Sequence, residues 1–251
     1  MNRLPQLELP SLRKKEQKPR ARVLVFVDVD AAFAAAIARP LVIASLLVAG
    51  LFAVLPPAAF LVSAARGDGV ESVLRDELAK SGRFDKIPAD KREEVMSAMV
   101  VGTAVALPAG AVAKRWIGLL LCAGVVVAFL RGARPQLTLS KAVAVAVVGA
   151  APLYLHDVIA ALAYAYFDLH SIDPQNAVAS NPSAWLFSGK ETRAPLAVFL
   201  RGFDFFELWA CAWIAAGLTR AAGGRTQVPV VVVFGFHFLG MLMATASASA
   251  D

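Results

Sequence analysis

The sequence has few residues of the kinds that support metal binding or covalent chemistry. Its 251 residues include only two cysteines and three histidines. Cys122 and Cys211 both lie in apolar stretches, so we interpret them as packing residues rather than as a disulfide framework or a metal site. The motifs HExxH, GxSxG and the Walker-type phosphate loop are absent from the sequence. We therefore expect a protein that is not an enzyme, with no catalytic residue, no bound metal and no cofactor.

Charged residues are also scarce, and apolar residues are correspondingly abundant. Only 18% of the residues are charged, 58% are hydrophobic, and the mean hydropathy is +0.63. Soluble domains have about 45–50% apolar residues. The composition therefore predicts a polytopic membrane protein whose lipid partners surround most of its surface.

The net charge of +6 is concentrated at the N-terminus. Residues 1–22 contain seven basic residues against two acids, Glu8 and Glu16. With three prolines, residues 1–20 are predicted to be a disordered basic tail. A basic tail before a membrane span is typical of a cytoplasmic N-terminus or of a contact with anionic lipid. No stacking aromatic residues accompany the charge, so we expect no nucleic acid partner.

Long apolar segments follow the tail, and about 20 apolar residues are needed to cross a bilayer. Ala21–Ala38 is apolar but interrupted by charges, which fits either a helix lying in the interface or an entry segment packed against the bundle. The candidate spans are Leu41–Ala64, Met96–Ala113, Trp116–Leu130, Val143–Phe167, Val198–Ala222 and Val228–Ala246. Pro56 and Pro57 should bend the first span or end its regular part early, and Pro152 should interrupt the fourth. The fold class predicted is an all-α transmembrane bundle of five or six spans.

The number of crossings depends on residues 96–130. Two short apolar runs are separated there only by Lys114 and Arg115, so they form either two spans with a basic turn or one crossing with a piece broken at Pro108. Hydropathy favours six crossings. The basic residues after Leu130 favour five, because five crossings would place them on the same side as the basic tail. Both alternatives remain open at this point.

Residues 66–94 form a charged insert between spans, with seven basic and eight acidic residues. Asp68 and Glu71 fit a capping box that opens a short amphipathic helix, and Gly82 can end it. Pro88 then begins a second helix that runs toward the membrane. We interpret the insert as a solvated helical hairpin, and docking of a partner is the alternative.

Acidic and histidine side chains within the apolar segments are the candidate site. A carboxylate in the hydrocarbon core costs about 2.5–3.5 kcal/mol on insertion scales, so it normally faces protein or water. On a continuous helix Asp204 and Glu207 would share one face. We predict an ion pair of Arg201 with Asp204, and a histidine partner for Glu207, either His156 or His237. The intramembrane polar cluster predicted is His156, Asp157, Asp204, Glu207 and His237.

Several of these segments together resemble a known family. They are TLSKAVAVAVVGAAP (Thr138 to Pro152), Asn181-Pro182, and the aromatic and acidic span DFFELWACAWIAAGL (Asp204 to Leu218) ahead of a last span. This arrangement resembles the Yip family of Ypt-interacting integral membrane proteins, in its bacterial form. The resemblance covers residues 26–246, so residues 21–251 would be one Yip-like transmembrane domain with the insert 66–94. The insert is longer and more charged than in eukaryotic members.

The resemblance implies a non-enzymatic membrane scaffold or adaptor that organises the bilayer or recruits an unidentified protein partner. The Ala- and Arg-rich sequence is typical of a bacterial cytoplasmic (inner) membrane protein. Two alternatives come from the polar residues themselves. One is a small transporter or channel subunit with Asp204 and Glu207 on the pathway. The other is a membrane-embedded metalloenzyme.

Overall fold

The computed structural model describes residues 28–67, 69–80, 84, 87–169, 172, 177–187 and 194–249. These residues form an all-α structure, and no strand occurs among them. The predicted disordered tail, residues 1–20, lies outside the described residues. The α-helices are α1 Val29–Ala38, α2 Val42–Arg66, α3 Val70–Lys80, α4 Arg92–Leu130, α5 Leu139–Gly149, α6 Ala151–Tyr166, α7 Pro182–Leu186, α8 Pro195–Arg201, α9 Phe205–Ala221 and α10 Val228–Ala248.

The first helix is packed against the bundle. Asp28 caps α1 by accepting a hydrogen bond from the amide of Ala31 at 2.9 Å. Phe33 and Ala36 are buried, and α1 packs against α5. Of the two interpretations of this segment, the described part agrees with an entry segment packed on the bundle. Residues 21–27 lie outside the described residues.

The first predicted span is present as α2, which continues through Pro56 and Pro57 to Arg66. The prolines therefore do not end the helix early. The α2 helix packs against both α4 and α6. Trp116 of α4 donates a hydrogen bond from Nε1 to the carbonyl oxygen of Leu46 at 2.8 Å, which ties the start of α2 to α4.

The charged insert contains the predicted amphipathic helix, α3. Its apolar side chains are half-buried and the helix packs against α4, whereas Glu71 and Arg75 are exposed. Phe84 lies between two guanidinium groups, with its ring centroid 5.9 Å from Cζ of Arg75 and 4.8 Å from Cζ of Arg92. Residues 68 and 82, to which we assigned the helix boundaries, lie outside the described residues. The described part of the insert is thus α3 packed against α4, with Phe84 held between their two arginines.

Residues 96–130 form one uninterrupted helix, so the prediction of two spans with a basic turn was wrong. The α4 helix has 39 residues and continues through Pro108, Lys114 and Arg115. The alternative of a piece broken at Pro108 was also wrong. Lys and Arg are good helix formers and neither provides a turn conformation. Proline is tolerated in membrane helices because neighbouring groups satisfy the freed carbonyl.

The next predicted span, Val143–Phe167, consists of two helices that meet at Ala150 with a bend of 43°. The break coincides with Pro152, as the sequence indicates. The α5 helix is buried along most of its length and packs against α1, α4 and α9. Its small residues allow close approach, and Gly149 and Gly217 lie at its crossing with α9. The centre of the bundle is therefore α5.

The predicted acid-bearing span Val198–Ala222 is not one helix. The α8 helix ends at Arg201, and Gly202 and Phe203 form a turn before α9 begins at Phe205. The continuous span predicted here was wrong because Asp204 caps a new helix start. The last predicted span is present as the helix α10, which packs against α8 and α9.

Within the described residues, three helices are long and apolar enough to cross a bilayer. They are α2, the helix from Ala89 to Leu130, and α10. The bent pair α5 and α6 brings the number to four if it counts as one span. These helices make the fold compatible with an integral membrane protein.

Candidate functional site

A buried ion pair joins α4 and α6 inside the bundle. Arg115 Nη2 lies 2.9 Å from Oδ2 and 3.3 Å from Oδ1 of Asp157. The two side chains are only 16% and 8% exposed. The guanidinium also lies 5.8 Å from the ring centroid of Tyr154, whose hydroxyl donates to the Val147 carbonyl at 2.7 Å. The pair neutralises two charges that are buried within the bundle, where either charge alone would be costly.

His156 extends this cluster toward α9. Its Nδ1 lies 3.8 Å from Oδ1 of Asp157, and its ring makes an edge contact with Phe206 at a centroid separation of 5.5 Å. Adjacent residues on a helix point about 100° apart, and His156 accordingly contacts α9 while Asp157 contacts α4. The polar groups of α6 therefore face two different helices.

Asp204 caps the start of α9. Its Oδ1 accepts hydrogen bonds from the amides of Phe206 at 2.8 Å and Glu207 at 3.1 Å, and its Oδ2 accepts from the hydroxyl of Ser180. The amide of Phe205 donates to the carbonyl of Ser180 at 3.0 Å. The first three amides of α9, which have no partner within the helix, are thus all satisfied by protein groups.

This geometry corrects the prediction that Asp204 and Glu207 share a helix face. Asp204 precedes the helix with an extended backbone, whereas Glu207 lies within its first turn. An aspartate is more stable at the N-cap, where its side chain accepts hydrogen bonds from free backbone amides, than in the interior of a helix. The predicted ion pair between Arg201 and Asp204 stays a prediction.

Glu207 lies beside His237 of α10. The distance from Glu207 Oε2 to His237 Nδ1 is 3.7 Å, which is an ion-pair distance rather than a hydrogen bond. The other ring nitrogen of His237, Nε2, is 2.8 Å from the carbonyl oxygen of Gly202. Because a carbonyl oxygen can only accept, Nε2 carries the proton in this arrangement. Of the two histidines considered as partners of Glu207, His237 is the one the structure places next to it.

His237 thus connects the break between α8 and α9 to the last helix. The carbonyl of Gly202 has no α-helical partner in the turn after α8, and His237 supplies one. Met241, one turn later on α10, packs directly over Gly202. These two contacts hold the break in place against α10.

Arg115 and Ser180 belong to the site and were missed by sequence reasoning. Arg115 was considered only as part of a basic turn, in one of the two alternatives for residues 96–130. An arginine within a long apolar helix needs an acidic partner, and that requirement is a usable signal. Ser180 follows a loop, and nothing local indicates that it meets Asp204 24 residues later. Only the packing of the segment before α7 on α9 brings them together.

Asp204 gives a direct test of the capping role. Asp204→Ala should lower the free energy of unfolding by about 1 kcal/mol, because two amides lose their acceptor. Asp204→Asn should cost much less, because asparagine caps helices nearly as well as aspartate. Unfolding in mixed detergent micelles, followed by helical circular dichroism, measures both. Equal losses in the two variants would contradict the capping role.

The chemistry of the site is that of contacts between helices. In the part of the chain that the structure describes, no three His, Cys, Asp or Glu side chains lie together in a group that could hold a metal ion. The polar residues instead join α4 to α6, the segment before α7 to α9, and α9 to α10. Comparison of the chain with family models, curated proteins and solved structures gave no match.

Proposed function

We propose that the chain is a non-enzymatic integral membrane scaffold or adaptor of the Yip-like kind, which recruits a protein partner or organises the bilayer. The observation that carries the proposal is the use of the acidic residues within the bundle. Asp157 binds Arg115, Asp204 caps α9, and Glu207 faces His237. Each acid is engaged with another protein group, as expected of side chains that hold helices together.

The charged hairpin provides the surface for a partner. The α4 helix, at 1.5 Å per residue, is about 58 Å long, whereas the hydrocarbon core is about 30 Å thick. One end of α4 therefore extends beyond the core, and α3 packs there with Glu71 and Arg75 exposed. Their ion pair, at 2.8 Å, keeps both side chains on one exposed face of α3.

Affinity capture from native membranes, read by mass spectrometry, tests the adaptor function. The double variant Glu71→Arg/Arg75→Glu keeps an ion pair at the same spacing but reverses the charges on the surface. We expect recovery of the partner to fall at least fivefold in this variant and to be unchanged in Asp204→Asn. An unchanged set of captured proteins in the charge-reversed variant would contradict docking on α3.

The broken helices favour a transporter as the second candidate. Discontinuous helices surround the binding sites of many transporters, and here α5 bends into α6 while α8 breaks before α9. Those sites, however, use free helix N-termini to bind anionic groups, and the amides of α9 are already bound to Asp204 and Ser180. The capped N-terminus is the reason for preferring a scaffold.

Thiol labelling distinguishes these two functions. In a background with Cys122→Ala and Cys211→Ala, a scaffold predicts that Glu207→Cys reacts slowly with a membrane-impermeant maleimide, because this side chain, 45% exposed in the bundle, would then face lipid and not water. A cysteine at position 249, in the exposed turn after α10, is the matched control and should react fast. Labelling of position 207 as fast as position 249 would indicate a hydrated pathway and favour the transporter.

We also propose five crossings with the N-terminus in the cytoplasm of a bacterium. The five crossings are α2, α4, the bent pair α5 and α6, the broken pair α8 and α9, and α10. The basic end of the bundle supports this topology. At that end Arg134 donates to the Gly224 carbonyl at 3.4 Å, and Arg220 pairs with Asp30 at the start of α1. The basic residues of these two loops and their borders are Arg131, Arg134, Lys141, Arg220 and Arg225. Basic loops face the cytoplasm.

Reporter fusions test this topology. A fluorescent protein that folds only in the cytoplasm should be dark after Ser249 and bright when inserted at Gly132, in the loop after α4. A phosphatase that is active only outside the cytoplasm should give the opposite pattern. Cytoplasmic fluorescence at both positions would instead support an even number of crossings.

A further inference from the structure

We infer that the groove between α9 and α10 at the basic end of the bundle binds one anionic glycerophospholipid. The groove has a volume of about 810 Å³, within the roughly 300–1,000 Å³ typical of ligand sites. Its walls along the helices are apolar and formed by Ala212, Ala216, Val230 and Phe234. Ala216 and Val230 are exposed, so the groove opens toward the surrounding lipid. An acyl chain fits these walls.

The end of the groove has the opposite character. Arg220 lines it, and the turn that closes it contains Gly223 and Gly224, which adopt positive φ angles of 85° and 72°. These angles let the chain reverse direction with no side chain over the opening. Arg225 follows in the same turn and is exposed, and Arg134 reaches the turn from the loop after α4. Arg220 thus lines the end of the groove, Arg134 contacts the glycine turn that closes it, and Arg225 is exposed in the same turn.

Charge selects the headgroup. Arg220 is half-exposed and its charge is shared with Asp30, whereas the described hydrogen bond of Arg134 goes to an uncharged carbonyl oxygen. Basic pockets between membrane helices on the cytoplasmic side bind acidic lipid headgroups. Guanidinium groups match phosphate oxygens in geometry. The phosphate therefore lies against Arg134 and Arg225.

Thr219 provides a further polar group inside the groove. Its Oγ1 is buried and has no hydrogen-bond partner in the described part of the chain. A buried hydroxyl without a partner is unfavourable, and threonine in a helix has two accessible χ1 positions. Thr219 lines the groove next to Arg220, and a rotation about χ1 would bring its hydroxyl to the ester carbonyl of a bound glycerophospholipid.

Native mass spectrometry of the full chain in detergent tests the site, with phosphatidylglycerol or phosphatidylcholine added at equal concentration. We expect one phosphatidylglycerol per chain and little phosphatidylcholine. Arg134→Gln/Arg225→Gln should weaken binding by about fivefold for each charge removed, about 25-fold in total. Arg66→Gln is the control and should leave lipid binding unchanged, because Arg66 is an exposed arginine at the C-terminal end of α2 and does not line the groove.

Two further arms keep the proposal falsifiable. Ala216→Phe fills the exposed groove while keeping all three arginines, and it should abolish lipid binding. Inorganic phosphate at a concentration 100-fold higher than that of the lipid should not displace it, because the acyl chain contributes to the affinity. A 100-fold excess corresponds to about 2.7 kcal/mol by mass action. Equal binding of the two lipids, or binding retained in Ala216→Phe, would overturn the inference. A dimer that is lost in Ala216→Phe, without bound lipid, would assign the groove to a second copy of the chain.

Discussion

Asp157→Ala should lower the free energy of unfolding by about 3–5 kcal/mol, which is the cost of removing one partner of a buried ion pair. The substitution leaves the guanidinium of Arg115 buried with no counter-charge, since its Nη2 loses both oxygens of Asp157. Unfolding by a denaturing detergent in mixed micelles gives the change. Asp90→Ala, at an exposed position before α4, is the control and should stay within about 0.5 kcal/mol.

The double variant Arg115→Met/Asp157→Leu distinguishes the stability that the ion pair contributes from the cost of leaving one buried charge without a partner. Replacing a buried ion pair by apolar residues of similar size is often neutral or stabilising. The double variant should therefore recover most of the stability lost in Asp157→Ala. If both variants lose the same amount, the ion pair itself contributes the stability, and the explanation by an unpaired buried charge is wrong.

Gly149→Ala should destabilise the protein by about 1–3 kcal/mol, because the added methyl group overlaps the backbone of α9. A Cβ at position 149 would lie 2.7 Å from both Cα and N of Ile214. Backbone atoms cannot rotate away as a side chain can, so α5 and α9 must separate along their crossing. A lower midpoint of thermal unfolding in detergent measures this loss.

Gly235→Ala in α10 is the matched control for the same change. Apart from the backbone of α10 itself, no atom of the described residues lies within 4 Å of a Cβ at position 235. Alanine is favoured over glycine in a helix by about 0.8–1.0 kcal/mol in soluble hosts, so this variant should be neutral or slightly stabilised. A similar destabilisation at both glycines would contradict the crossing of α5 and α9 as the cause, since helix propensity by itself predicts a change of the opposite sign.

The positions of the apolar helices could be predicted closely from the sequence. The described boundaries of α2 and α10 lie within two residues of the predicted spans, and the bend at Ala150 was indicated by Pro152. Hydropathy works here because a membrane helix satisfies its own backbone hydrogen bonds, so an apolar run of sufficient length has one stable form. The amphipathic helix α3 could also be predicted, because its apolar residues recur with the period of an α-helix.

Two features of the candidate site could not be predicted in this way. Lys114 and Arg115 suggested a turn, but Arg115 finds its acid on α6, 42 residues later, and α4 stays helical. Asp204 suggested a mid-helix acid, but Ser180 and two free amides make it a cap. In both cases a polar residue in an apolar segment had several possible partners, and sequence spacing does not rank partners on other helices.

The amino-acid sequence by itself determined that this is an all-helical protein suited to a membrane, with a charged hairpin after the first span and acids inside apolar segments. These properties follow from composition and periodicity, which act locally along the chain. The tertiary structure alone decided that α4 is one helix, that α8 and α9 are two, and which group each acid binds. Those outcomes depend on distances between helices, because the energy of a buried charge is set by the partner within a few ångströms and not by its neighbours in sequence.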